Sequence, residues 1–84
     1  MLNEQSFINP NLRDMHQKRA ARASVALAAF CALTGQNSGE ELEEAITDLL
    51  CDLLHLANAN VLDASRLARR AMEHYEHEVL SLEE

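Results

Sequence analysis

The sequence has no tryptophan, one proline and two glycines, and aromatic residues make up only 4% of its 84 positions. Sheets are built largely from aromatic and β-branched residues and are joined by turns rich in glycine and proline. The scarcity of these residues argues against a sheet protein and favours packed helices. A chain of this length forms one small domain with a thin core, for which self-association is a common source of added stability.

Long apolar runs and closely paired cysteines are also missing. The most apolar stretch, ASVALAAFCAL, has 11 residues, well short of the roughly 20 that a membrane-spanning helix needs. The segment MLNEQSFINP has no basic region followed by an apolar run, so it does not resemble a secretion signal. Cys31 and Cys51 form no C-x-x-C pair, which favours free thiols in a reducing compartment. We therefore expect a soluble, cytoplasmic protein that does not enter a membrane.

Basic residues are few, with 7 Lys and Arg against 14 Asp and Glu, and the formal net charge is -7. An acidic surface repels the phosphates of nucleic acids, so nucleic acid is not an expected partner. DNA binding would depend on four cations near the N-terminus, Arg13, Lys18, Arg19 and Arg22. The same acidity would allow the protein to imitate a nucleic acid.

The first predicted helix runs from the segment NPNLRD to about Thr34. Asn9 can cap it with Pro10 at the first helical position, or Asn11 can cap it instead. Gly35 can end it, because glycine enters the left-handed region at little cost. Its expected apolar face consists of Leu12, Met15, Ala23, Ala26, Leu27, Phe30 and Leu33.

Arg19 lies in the middle of that apolar face. We expect its aliphatic stem to cover apolar surface and its guanidinium to pair with an acid of the second helix; a ligand or partner contact is the alternative. Apolar residues also spread beyond one face through Val25 and Ala29, and such a helix needs cover on several sides. A homodimer would provide that cover. The predicted dimer interface consists of Val25, Leu27, Ala29, Phe30 and Leu33.

The second and third helices follow recognisable start signals. Ser38 and Glu41 match the S-x-x-E capping box, and the second helix should continue to about Asn58. Asp63 can cap the third helix. The expected buried faces are Leu42, Ile46, Leu49, Leu50, Leu53, Leu56 and Ala57 in the second helix, and Ala64, Leu67, Ala68, Ala71, Met72, Tyr75 and Val79 in the third.

These patterns predict an all-α fold, a three-helix antiparallel bundle completed by dimerisation. The single domain should span residues 10–80. It would lie between a flexible N-terminal segment, residues 1–9, and a loose acidic C-terminus, residues 81–84.

A polar stripe lies opposite the leucines of the second helix and is the candidate interaction surface. On a helical wheel its members fall within a sector of roughly 100°. They are Glu41, Glu44, Asp48, Asp52 and His55, with Cys51 at the edge. A stripe of this kind is usually a solvated helix face.

The same stripe provides an alternative metal site. Asp52-x-x-His55 places a carboxylate and an imidazole one turn apart, as in helical-bundle metal sites, and Glu44 and Asp48 could complete a set for Mg or Mn. Cys51 stands near His55, but no oxyanion hole or orienting third group is evident, so we assign no catalytic residue. We expect Cys51 to be a buried or half-buried structural thiol.

Two patterns carry a resemblance to known groups of proteins. The run D-L-L-x-D-L-L-H at residues 48–55, followed by A-R-x-A-x-x-H-Y-E at residues 68–76, resembles small helical proteins encoded by bacteria and their phages and plasmids. That resemblance implies an accessory protein of a mobile element and no particular activity. Glu41-x-x-Glu44 and Glu73-x-x-Glu76 are similar to the magnesium-binding pairs of MazG-like all-α nucleotide pyrophosphohydrolases, although no E-x-x-D pair follows the first one.

The leading hypothesis is a small acidic helical protein-interaction module, non-enzymatic and without a cofactor. Its expected partners are a second copy of itself and a host protein. One alternative is a nucleic-acid mimic that inhibits a nucleic-acid-binding enzyme through the acids of residues 40–52. The other, which the second resemblance implies, is a Mg- or Mn-dependent nucleotide pyrophosphohydrolase. Its candidate ligands are Glu41, Glu44, Asp48 and Asp52.

Overall fold

The computed structural model of the protein describes the backbone of residues 10–83 and the side chains of residues 14–80. This part of the chain forms three helices, α1 (Pro10–Thr34), α2 (Leu42–Ala59) and α3 (Ala64–Glu83), and contains no strand. The predicted all-α fold class is confirmed. The predicted flexible segment 1–9, with the possible cap Asn9, lies outside the described residues. Residues 81–83, predicted to be loose, continue α3 instead.

The ends of α1 follow from local chemistry. Pro10 occupies the first helical position, as predicted, because its missing N–H would have no partner there anyway. Asn11 lies inside the helix, so the alternative cap at that residue is wrong. At the other end the Gly35 N–H donates to the Cys31 carbonyl at 2.8 Å, and Gly35 has a φ of +84°. Gly35 thus ends the helix in the left-handed region, as expected.

The turn before α2 is closed by Asn37, so the predicted Ser38–Glu41 capping box is wrong. The Asn37 side-chain oxygen accepts hydrogen bonds from the backbone N–H groups of Gly39, at 2.8 Å, and Glu40, at 3.2 Å. The Glu41 carboxylate accepts one from the Asn37 N–H at 3.1 Å. Asparagine and serine are equally good caps, so the spacing pattern alone does not show which of two neighbours closes the turn.

The corner between α2 and α3 contains a valine in the left-handed region. The Leu62 N–H donates to the Ala57 carbonyl at 2.9 Å and the Val61 N–H to the Asn58 carbonyl at 3.1 Å, the two bonds of a Schellman motif. Val61 has a φ of +61°, at the position where glycine is usual. Asp63 then caps α3, as predicted, by accepting the Arg66 N–H at 3.0 Å.

The core is small and lies between α1 and α2. Leu27 and Cys31 of α1 are buried against Ala45 of α2, and Phe30 and Leu49 pack around them. Ala45 is 0% exposed. Its methyl side chain allows the two helices to approach closely, since a larger side chain would have no room. The α1–α2 hairpin is therefore the best-packed unit of the described fold.

The predicted buried faces of the helices are only partly correct. In α2, Leu49 and Ala57 are covered, whereas Leu42, Ile46, Leu50, Leu53 and Leu56 are exposed. Met15 and Leu33 of α1 and Met72 and Tyr75 of α3 are exposed as well. The physical reason is that α2 turns Ala45 and Leu49 toward α1, and little of the chain covers the leucines beside them.

The ion pair between Arg19 and Glu78 indicates the direction in which α3 runs. Arg19 Nη2 lies 3.7 Å from Glu78 Oε2, so its partner is on α3 and not, as predicted, on α2. Cys31 of α1 and Ala45 of α2 are neighbours. Arg19 precedes Cys31 by as many residues as Ala57 follows Ala45, so in two antiparallel helices Arg19 and Ala57 lie at the same level, which is near the start of α3. If α3 ran straight back along α2, Glu78 would be about 21 Å past that level, beyond reach of Arg19. We infer that α3 is inclined away from α2.

Within the described residues, none of the three helices combines the length and the apolar character needed to cross a membrane.

Candidate functional site

The most prominent surface feature is a row of exposed aliphatic side chains on α2. We call it the α2 apolar face, and its members are Leu42, Ile46, Leu50, Leu53 and Leu54. They are between 37% and 58% exposed. At 100° per residue they occupy a sector of roughly 120°, so the row is continuous along the helix. A continuous exposed apolar row is typical of a binding surface, whereas isolated exposed leucines are ordinary.

Further apolar side chains are exposed on the corner and on α3. Val61 is 94% exposed and Leu62 lies beside it, while α3 exposes Met72 and its tyrosine, Tyr75. A valine held in the left-handed region and presented to solvent gains little from its own fold. Its exposed position favours a role in contact with another molecule.

The predicted polar stripe divides into two parts with different surroundings. Glu41 and Asp48 hold the α1–α2 connection: Glu41 accepts the Asn37 N–H, and Asp48 Oδ2 accepts a hydrogen bond from Gln36 Nε2 at 2.9 Å. Glu44, Asp52 and His55 are exposed. Two of the five predicted interaction residues thus have a structural role that sequence reasoning missed.

The structure assembles no metal site from the predicted ligands. Among the described residues, no three His, Cys, Asp or Glu side chains form a group that could hold a metal ion. Glu44, Asp48, Asp52 and His55 share a side of α2, but no other element within the described residues adds a ligand to them. The two thiols are free, as expected. Cys31 is buried, whereas Cys51 is exposed, and the prediction of a buried or half-buried Cys51 is wrong.

The predicted dimer interface on α1 is divided between the core and the surface. Leu27 is buried and Phe30 packs beside it, so both are already used inside the chain. Val25, Ala29 and Leu33 are exposed. The larger apolar surface is on α2, where Leu42, Ile46, Leu50 and Leu53 are predicted to be buried and are exposed instead.

Two groups of opposite charge stand near the two ends of α2. The acids Glu40, Glu43 and Glu44 lie at its start, and the arginines Arg66, Arg69 and Arg70 lie in the first two turns of α3, just past its end. All six are exposed. In the described part of the chain, the ion pairs are Lys18 with Asp14 and Arg19 with Glu78, so neither group is paired.

The sequence carries a signal for the α2 apolar face that periodicity alone does not use. The run ITDLLCDLLHLANA holds more large apolar residues than one neighbouring helix can cover. Val61 and Leu62 belong to no predicted helix face, so the helical periodicity gives no signal for their exposure.

A scan against protein-family models matches no family, and searches of curated proteins and of solved structures find no match.

Proposed function

We propose that this chain is a small acidic helical protein-interaction module that acts by binding and not by catalysis. Its binding surface is the α2 apolar face, and its partner supplies an apolar helix that completes the open bundle. The exposure of Leu42, Ile46, Leu50 and Leu53 is the observation that carries this proposal. When an amphipathic helix packs into an apolar groove, side chains spaced three or four residues apart are the usual anchors.

The hydrophobic stabilisation that the exposed side chains could still contribute favours a partner that covers the whole row. Burying a large aliphatic side chain contributes about 1.5–3 kcal/mol, and the members of the α2 apolar face are roughly half exposed. Five such side chains therefore offer on the order of 5 kcal/mol of unrealised hydrophobic stabilisation. A core limited to Leu27, Cys31, Ala45 and their neighbours makes that contribution important for a domain of this size.

Photo-crosslinking from defined positions of α2 tests the proposal. A benzophenone amino acid replaces Leu50, in the centre of the α2 apolar face, or His55, on the opposite side of the helix, in the protein expressed in cells. We expect an adduct with a polypeptide from position 50 and little or none from position 55. Mass spectrometry identifies the captured chain. Absence of an adduct at position 50, or equal adducts from both positions, would contradict the proposal.

A further inference from the structure

We propose that the partner is a second copy of this chain, with the two α2 helices packed antiparallel across a two-fold axis. This inference rests on the proposed function and names the partner of the same surface. It depends on the apolar area that is left open, on the positions of the unpaired charges, and on the position of the centre of the α2 apolar face.

The open apolar area is of the size that a small dimer needs. At 25 cal/mol per Å2, a leucine-sized side chain corresponds to roughly 100 Å2 of apolar surface, of which about half is exposed here. The α2 apolar face then contributes on the order of 250 Å2 in each copy. Val61, Leu62, Met72 and Tyr75 bring the total near 500 Å2, and a polar rim extends this toward the roughly 800 Å2 per partner of a standard interface.

The acids at the start of α2 determine the direction of the pairing. In a parallel arrangement Glu40 and Glu43 of both copies would stand side by side, and like charges would repel. In an antiparallel arrangement the acidic start of one α2 lies beside the end of the other. The helix dipoles also oppose each other favourably in that direction.

The antiparallel arrangement also brings the unpaired acids and arginines together. Arg66, Arg69 and Arg70 lie in the first two turns of α3, which follows α2 after a short corner and whose start is fixed by Asp63. The acidic start of one copy therefore meets the arginine-rich α3 start of the other. A two-fold axis repeats this contact, so that each dimer has two such acid–arginine rims. Neither group is paired in the described part of a single copy.

The two-fold axis would pass near the middle of the α2 apolar face. Leu42 and Leu54 mark the ends of this face, and Ile46 and Leu50 are the members nearest its centre. In an antiparallel pair, residues at equal distances on the two sides of the axis face each other. Leu50 of one chain therefore lies opposite Ile46 of the next, whereas His55, on the opposite side of α2, faces neither.

A charge exchange between two variants tests the arrangement by light scattering. One variant carries Glu40→Lys and Glu43→Lys, and the other carries Arg66→Glu, Arg69→Glu and Arg70→Glu. Alone, each variant places like charges at both rims, and we expect its dimer Kd to rise at least roughly tenfold relative to the unaltered chain. An equimolar mixture restores opposite charges at both rims, so we expect a mixed dimer with a Kd near that of the unaltered chain.

Three outcomes would overturn the inference: an unaltered chain that is monomeric at tens of micromolar, variants that dimerise as tightly as the unaltered chain, or a mixture that stays monomeric. If circular dichroism shows that a variant does not fold, cysteine crosslinking tests the arrangement in place of the charge exchange. In a Cys51→Ser background, a mixture of Ile46→Cys and Leu50→Cys chains should form a disulfide-linked dimer on mild oxidation, whereas a mixture of Leu50→Cys and His55→Cys chains should not, and equal crosslinking would overturn the inference. A monomeric chain that still forms a position-50 adduct with another protein would leave the proposed function intact.

Discussion

Val61 is the residue with the least favourable backbone conformation in the described chain. A β-branched side chain in the left-handed region costs about 1–2 kcal/mol, and Val61 is 94% exposed, so its own fold recovers little of that cost. We predict that Val61→Gly raises the free energy of unfolding by roughly 0.5–1 kcal/mol, because the greater freedom of glycine in the unfolded chain offsets part of the gain. Urea unfolding at a fixed chain concentration measures the change.

Val25 provides the matched control for this prediction. It is also exposed, but it lies inside α1 with ordinary helical geometry, and glycine there should lower stability by a few tenths of a kcal/mol. The same substitution therefore has opposite signs at the two sites. Loss of stability at Val61 comparable to that at Val25 would show that the corner does not hold its valine under strain.

Asn37 and Ser38 distinguish the observed turn from the predicted one. Asn37 accepts two backbone N–H groups, whereas the hydroxyl of its neighbour has no hydrogen bond in the turn. We predict that Asn37→Ala lowers the free energy of unfolding by about 1 kcal/mol and that Ser38→Ala changes it by less than about 0.5 kcal/mol. Thermal and urea unfolding of both variants measure the difference, and the reverse order would restore the Ser38 box.

At the scale of the helices, the end of α1 and the start of α3 could be predicted from the sequence, whereas the buried face of α2 could be predicted only in part. Gly35 and Asp63 act through bonds to residues within four positions, so local chemistry determines where α1 ends and α3 begins. The face that α2 buries depends on which neighbours cover it. With leucines spread over a wide arc, several rotations of α2 satisfy its periodicity equally well, and the small Ala45 decides among them.

The candidate site could be predicted only in part, because the surroundings of each residue depend on the neighbouring elements. The polar stripe of α2 lies on one side of the helix, as the wheel indicates, but long-range partners decide the role of each member. Gln36, twelve residues away, binds Asp48, and no spacing rule contains that contact. The helical wheel predicts burial for Leu42, Ile46, Leu50 and Leu53 of the α2 apolar face because they lie on its leucine side, but a wheel does not show which neighbouring helix covers that side.

The close approach of α1 and α2 makes Ala45 the most sensitive position of the hairpin. It is 0% exposed and touches the Leu27 and Cys31 cluster, so Ala45→Leu must displace one of the helices. We predict a loss of about 1–3 kcal/mol in the free energy of unfolding, as overpacking usually causes. Ala29→Leu, at an exposed position of α1, is the control and should be near neutral. Equal effects would mean that the hairpin has room at Ala45.

At the scale of the whole molecule, an open shape and a thin core belong together. The Cα radius of gyration is 15.8 Å, compared with about 12 Å for a compact domain of this length. In the part of the chain whose side chains are described, the buried residues are Leu27, Cys31, Ala45 and Ala57. A single copy therefore realises only part of the hydrophobic stabilisation that its leucines could supply, and association would supply more.

The melting temperature should consequently depend on protein concentration. If the folded form is a dimer, a hundredfold increase in chain concentration stabilises it by RT ln 100, about 2.7 kcal/mol per dimer. For a chain of this size the corresponding rise in Tm is roughly 5–10 °C. Circular dichroism melts at about 1 and about 100 micromolar chain measure this rise in Tm. Leu50→Asp places a charge on the α2 apolar face, so the Tm of this variant should be independent of chain concentration. If the Tm of the unaltered chain is equally constant, one copy folds alone.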